Sequence, residues 1–190
     1  MSKEWDEYAE GWDSNSDVIS YSAKAFDSLS KVVDIKGLRV LDFGCGTGLL
    51  TERISPLAKE IVALDTSNKM ISILNQKKLV NVVALTDELT ESLVNEGDLF
   101  SNKFDVVVAS SVCAFLPCFE DTLSLIKSIL KPNGTFVQWD WLAEIDDGDF
   151  GLSKDRVIEA YNSAGLKLHF MDEPFTMNDM KVLMAVGKNA

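Results

Sequence analysis

Three glycines alternate with other residues directly after an apolar, β-branched run, in Val40-Leu41-Asp42-Phe43-Gly44-Cys45-Gly46-Thr47-Gly48. Residues 38–43 read as a strand. Beyond Gly48, the residues Leu50, Ile54 and Leu57 recur at helical spacing, with Pro56 near the expected last turn. Glycines in such a turn supply positive φ and let a ligand approach the backbone, while the start of the helix offers N–H groups with no intrahelical partner. In an open parallel sheet a ligand is expected there, at the carboxyl ends of the strands. The next apolar run, residues 60–65, ends in Asp65, 17 residues after Gly48, where a carboxylate can accept hydrogen bonds from both hydroxyls of a nucleoside ribose. A tight connection and a helix-entry acid would be the purely structural reading of the same residues.

Downstream the chain keeps alternating short apolar runs with helical patterns, the order expected of a parallel sheet covered by helices. A helix should begin near Ser67, whose hydroxyl can cap it, with Met70, Ile71 and Leu74 pointing inward. Residues 81–85 form a third strand. Residues 104–109 form a fourth, apolar almost throughout and therefore central. A helix over 120–130 carries Leu123, Ile126 and Ile129 or Leu130 in phase and stops at Lys131-Pro132-Asn133-Gly134, before a fifth strand over 135–139. Ser153 can cap a helix bearing Val157, Ile158 and Tyr161, which Gly165 closes. Two last runs, 166–171 and 180–186, have no helical pattern between them, so an antiparallel pair is expected, with Pro174 in the intervening segment 172–179.

At 190 residues, 46% hydrophobic and 25% charged, the chain has the length and composition of one globular domain. Eighteen basic against 30 acidic side chains leave a formal charge of −12, a field that repels the phosphates of DNA, RNA and anionic membranes. Most of the excess lies in two segments. Residues 1–20 hold Glu4, Asp6, Glu7, Glu10, Asp13 and Asp17 against Lys3 alone, and residues 140–151 hold Asp140, Glu144, Asp146, Asp147 and Asp149 with no base. Cys45, Cys113 and Cys118 lack CxxC spacing and sit in apolar sequence, so buried reduced thiols are expected rather than disulfides or a metal site. The acidic start does not read as a signal peptide, and the longest apolar stretch, 106–117, is too short to span a bilayer. A soluble, cytoplasmic protein with no nucleic-acid or membrane partner is the resulting expectation; oligomeric state is not legible.

NAD binding would use the same acid after the second strand, but the dinucleotide fingerprint G-x-G-x-x-G/A fails: counted from Gly44 its sixth position is Leu49, and counted from Gly46 it is Thr51. No G-x-x-x-x-G-K-[ST] occurs either, which argues against a P-loop nucleotidase. Asp42 to Gly48 instead resembles the cofactor loop of class I S-adenosylmethionine-dependent methyltransferases, and Asp65-Thr66-Ser67-Asn68-Lys69-Met70 resembles that family's second motif. Thr86-Asp87-Glu88 is similar to its adenine-contacting segment, residues 104–110 to its fourth-strand motif, and Leu130-Lys131-Pro132-Asn133-Gly134 to its turn before strand five. Trp5-Asp6 and Trp12-Asp13 resemble the aromatic-Asp pairs that open small-molecule methyltransferases of the ubiquinone-biosynthesis type. The resemblance covers roughly residues 36–188.

The resemblance implies an α/β fold: a single Rossmann-like, doubly wound sheet of about seven strands, mostly parallel with an antiparallel C-terminal strand, and helices on both faces. It implies a helical lid segment over 1–35 and an S-adenosylmethionine-binding domain over 36–190, one structural domain overall. By the same resemblance Gly44, Cys45, Gly46 and Gly48 form the loop whose backbone approaches the methionine part of the cofactor, and Asp42 holds its ammonium directly or through water. Asp65 takes the ribose, Asp87 the adenine amine, and Glu88 offers a backbone N–H to the ring. Thr66 and Met70 pack on the ring faces, and Ser110 contributes backbone near the methionine moiety. S-adenosylhomocysteine would be the product.

The acceptor side departs from the family. Many members carry histidine in the stretch after strand four, whereas this chain reads Cys113-Ala114-Phe115-Leu116-Pro117, and its one histidine, His169, falls in the sixth strand with a structural or surface role. No Asn-Pro-Pro-Tyr type motif follows strand four, which speaks against base or glutamine N-methylation. Tyr8, Trp12 and Tyr21 from the N-terminal segment, with Trp139, Asp140 and Trp141 after strand five, are the candidate acceptor residues; strand-end packing is the structural alternative for the latter three. Both segments are short, so a small lid and a small-molecule substrate are expected. Methyl transfer by in-line displacement is the leading function. A cofactor-binding module without turnover that regulates a partner is the alternative raised by the missing histidine, and a nicotinamide-dependent reductase the remaining one.

Overall fold

The central strands form where the chain carries apolar runs, and four of the helices begin where Asn15, Ser67, Thr90 or Ser153 accepts a first-turn N–H. The computed structural model describes residues 2–143 and 151–190; Glu144, Asp146, Asp147 and Asp149 of the second acidic segment lie outside the described residues. Seven strands make one mixed, mostly parallel sheet in the order β3-β2-β1-β4-β5-β7-β6, which bears out the expected Rossmann-like α/β architecture. The chain divides into two compact units, residues 1–88 and 89–190.

In the first unit, α1 (Ser2–Tyr8) and a single 3-10 turn, Trp12–Ser14, precede α2 (Ser16–Val32). Asn15 caps α2 by accepting the Asp17 N–H. Strands β1 (Arg39–Phe43), β2 (Glu60–Asp65) and β3 (Val82–Thr86) pair in parallel, connected by α3 (Leu49–Ile54) and α4 (Asn68–Gln76). β1 is buried at every position, as a strand covered on both faces must be. Ser67 caps α4 through the Met70 N–H, and Met70, Ile71 and Leu74 are buried as their spacing predicts. α3 is shorter than the apolar spacing suggests: it stops at Ile54, before Ser55-Pro56, and leaves Leu57 exposed.

In the second unit, α5 (Glu91–Glu96) and α6 (Asp98–Ser101) lead to β4 (Phe104–Ser110), whose residues 106–109 are all buried. A 3-10 turn over Cys113–Phe115 and α7 (Phe119–Ile129) follow, then β5 (Leu130–Trp141), parallel to β4. The expected turn at 131–134 is present as an excursion: Phe104 faces Leu130, yet Val106 already faces Thr135. α8 (Lys154–Ala164) is capped by Ser153 and ended by Gly165 at φ 67°. The antiparallel pair β6 (Lys167–Met177) and β7 (Met180–Lys188) is longer than expected, turning at Asn178 and Asp179, both at positive φ. Pro174 does not end β6, because it sits where the register shifts between Asp172 and Phe175 on the outermost strand, where a missing N–H is tolerated. Cys45 and Cys113 are buried free thiols as expected; Cys118 is free but exposed, because it precedes α7 on the loop side.

Gly187 marks how closely the second unit is packed. A Cβ there would collide with Cε1 of Tyr161 and stand 2.8 Å from its Cδ1. That ring is fully buried and stacked on Phe136, so it cannot swing aside. Gly187→Ala should therefore destabilise the protein by about 1–3 kcal/mol, read as a lower urea midpoint at unchanged slope; an unchanged midpoint would contradict this packing.

Candidate functional site

The glycine loop turns sharply because Gly44, Gly46 and Gly48 take φ of 68°, 55° and 81°. Gly48 is also needed for space, since a Cβ there would strike the Leu74 side chain. Beyond a Cβ on Gly46 the nearest atom is Nε1 of Trp12, at 3.9 Å. A side chain at that glycine would therefore point towards Trp12 of the N-terminal segment.

Asp65 ties this loop to the next. Its Oδ2 accepts the Gly46 N–H at 2.8 Å and its Oδ1 the Ser67 N–H at 2.8 Å. Each carboxylate oxygen has two lone-pair directions, so the group can still accept a hydroxyl donor. Burial raises its pKa above the usual carboxylate value against these backbone donors. Asp42, in β1, is 1% exposed and accepts the Thr51 hydroxyl at 2.6 Å. Burial, chiefly, pushes its carboxyl up to about 7, and the nearby Asp65 charge adds to this. No ion pair among the described residues includes Asp42. A buried carboxylate without a cationic partner, beside a turn of alternating glycines, suits a ligand that brings an ammonium group. The neighbouring Cys45 thiol is pushed well up by burial and by both aspartates, which leaves it inert as a nucleophile.

The other expected cofactor residues of this unit are placed unevenly. Thr66 is half-buried just after β2, and Met70 is buried in the first turn of α4. Asp87 and Glu88 are exposed after β3, with the Asp87 N–H on the Asp65 carbonyl. The Glu88 N–H is donated to Oδ1 of Asp87. Of the N-terminal aromatics, Tyr8 is exposed, Trp12 half-buried and Tyr21 buried.

The N-terminal segment makes polar contacts that the sequence reading did not single out. The Asp13 carboxylate accepts the Thr47 hydroxyl and pairs with Lys77 Nζ at 2.9 Å, which also meets Glu52 at 3.2 Å. Asp6 Oδ1 accepts the Ser67 hydroxyl at 2.5 Å and the Lys69 N–H at 3.2 Å. The repeated Trp-Asp pair was the available signal, but it carried no indication of which partner each aspartate would find.

In the second unit, Ser110 ends β4 half-buried, Trp141 is half-buried, and Trp139 and Asp140 are almost fully buried. The Asp140 carboxylate accepts the Ala114 N–H at 3.0 Å and the Gln138 amide at 2.9 Å, and the Tyr161 hydroxyl donates to the Gln138 carbonyl oxygen at 3.0 Å. This network holds the turn after β4 to the end of β5 and to α8. Burial pushes the Asp140 carboxyl up to about 7. His169 is exposed on β6 with its ring near Phe170.

Asp42 and Asp140 keep protons in the folded chain that the unfolded chain releases near its ordinary value of 3.8. Both therefore cost stability as the pH rises from about 4 to about 7, and the cost is constant above that. Asp42→Asn should stabilise the protein by about 1–3 kcal/mol at pH 8, with the gain vanishing near pH 4. Urea unfolding at the two pH values checks this; a gain independent of pH would contradict it.

Comparison with known proteins places these features in a wider set. A family model described as a methyltransferase domain matches residues 41–136. The chain is 30% identical over 129 residues to an uncharacterized methyltransferase of Schizosaccharomyces pombe, covering 65% of this chain and 45% of the relative. It is 30% identical over 112 residues to a ubiquinone biosynthesis O-methyltransferase of Xanthomonas campestris, covering 57% and 45%. The chain thus spans somewhat under half the length of these curated relatives. Among solved structures, the DhpI-SAM-HEP complex superposes with a TM-score of 0.76 over 97% of this chain and 94% of that one, at 21% identity, a likeness of fold.

Proposed function

Since the chain belongs to the methyltransferase-domain family, we propose that its first unit binds S-adenosylmethionine at the glycine loop and that the protein transfers the methyl group to a small-molecule acceptor. The observation that carries this reading is the buried Asp42 carboxylate, unpaired by any cation among the described residues, beside a glycine turn that Asp65 fastens to the start of α4. The cofactor supplies an activated methyl group on a sulfonium, so the protein has chiefly to bind and orient.

In this reading Asp42 takes the cofactor ammonium, and that cation offsets the cost of its buried charge. Asp65 accepts from the ribose with lone pairs its backbone partners leave open. Gly44, Cys45, Gly46 and Gly48 keep the approach to the backbone clear, and Thr66, Met70, Asp87 and Glu88 flank the adenine. Residues 1–35 form a helical cap, with Tyr8 and Trp12 the aromatics it can present to an acceptor. A small-molecule acceptor fits the short cap and the likeness to the ubiquinone-biosynthesis relatives.

Titration calorimetry tests the cofactor reading. Saturable one-to-one binding of S-adenosylmethionine and S-adenosylhomocysteine is expected, with none of NADH; no binding of either sulfur ligand at millimolar concentration would sink it. Asp65→Ala should weaken binding by about 1.5–3 kcal/mol, and unchanged affinity would remove Asp65 from the ribose. Because the ammonium contact needs an ionised Asp42, affinity should fall as the pH drops from 8 to 6, and Asp42→Asn should flatten that dependence.

A second reading, cofactor binding without turnover, is favoured by one feature. The turn at Cys113–Phe115 offers no ready base: Cys113 is buried with its thiol pushed well up, and the Asp140 carboxylate already accepts the Ala114 N–H, the Gln138 amide and both the N–H and the thiol of Cys113. Labelled methyl transfer into any component of a small-metabolite extract would exclude it.

A further inference from the structure

The two loops of the proposed cofactor site are held from outside by the N-terminal segment, and the hydrogen bonds close a circuit. Asp65 joins Gly46 to Ser67. The residue after Gly46 is Thr47, whose hydroxyl goes to Asp13, and the Ser67 hydroxyl goes to Asp6. Asp6 and Asp13 are themselves seven positions apart on one short segment, on which Trp5 and Trp12 meet edge to face at 6.4 Å. Thr47 and Ser67 are 1% and 0% exposed, so their hydroxyls need protein acceptors, and carboxylates are the strongest ones available.

Thr47 lies between two glycines at positive φ. Neither glycine has a side chain with which to restrain the turn, and an unrestrained glycine turn would lose its freedom only when a ligand bound, at a cost to affinity. We infer that Asp6 and Asp13 are positioning residues: each pins one of the two cofactor loops in its binding conformation, Asp13 the glycine loop through Thr47 and Asp6 the start of α4 through Ser67. This rests on the cofactor reading above for its purpose, though not for its geometry. The coupling is reciprocal, so a ligand that orders the loops must order the segment that pins them.

Amide hydrogen exchange on the full chain without added ligand tests the latches directly. Asp13→Ala should speed exchange in residues 44–48, and Asp6→Ala in residues 65–70, by about tenfold each, the equivalent of one hydrogen bond to a charged group. Each variant should loosen its own loop more than the other. Asp13→Asn and Asp6→Asn keep an acceptor oxygen and should restore part of the protection, which a loss of charge alone would not allow. Glu10→Ala, an exposed acid of the same segment, should leave both loops at the wild-type rate.

Wild-type exchange at both loops in the two alanine variants, or an equal effect from Glu10→Ala, would overturn the inference. Titration with S-adenosylhomocysteine completes the test. Both alanine variants should bind roughly three- to thirtyfold more weakly while melting within a few degrees of wild type, and the ligand should slow exchange in residues 5–13. Equal affinity of variants and wild type would overturn the positioning role. Failure of the wild type itself to bind would instead overturn the cofactor reading, and the exchange rates would still decide the latches.

Discussion

A single carboxylate bridging two backbone N–H groups organises the first unit. Asp65 stands at the end of β2, and by accepting from Gly46 and Ser67 it makes the turn after β1 and the turn after β2 into one object. Within each turn there are local ties as well: the Gly44 and Cys45 N–H groups go to the Leu64 carbonyl, and the Ser67 hydroxyl caps the nine-residue α4 at Met70. The sheet supplies the placement, because β1 and β2 run parallel in a register that sets Phe43 beside Leu64 and so brings the two turns out at the same end. Hydrogen bonds to a charged acceptor are stronger than neutral ones, which is why one side chain can serve for both loops. The N-terminal aspartates extend the same device outward.

The buried acids show the opposing side of this arrangement. A carboxyl in Asp42's position costs the fold stability at neutral pH, and a neutral residue of the same shape would be expected to do better. That such a group sits next to the glycine turn is understandable if a cationic ligand relieves it, a stability cost accepted at a binding site. Asp140 is a different case. Its oxygens take the Ala114 N–H, the Gln138 amide and the N–H and thiol of Cys113, so it acts as an internal tie for the turn after β4.

Much of this was legible in the sequence where the signal is local. The strand runs, the serine caps at Ser67 and Ser153 and the glycine stop at Gly165 depend on residues within a few positions of one another, and all are found in the structure. Leu57 went astray because a helical spacing rule does not know that Ser55-Pro56 stops the helix, and Pro174 because its tolerance depends on lying at a sheet edge. The latches were invisible for a different reason. Asp13 and Thr47 are 34 positions apart, and Asp6 and Ser67 are 61 apart, so no spacing in the sequence pairs them. The same holds for Gln138 and Tyr161, which meet only once β5 and α8 are packed.

A ligand at the proposed cofactor site must touch the two turns that Asp65 joins. Amide chemical shifts followed by two-dimensional NMR during titration with S-adenosylhomocysteine measure that residue by residue. Saturable shifts concentrated in residues 44–48 and 65–70, with Gly46 and Ser67 among the largest, are the predicted result. Saturable binding that leaves those amides unmoved would contradict the account.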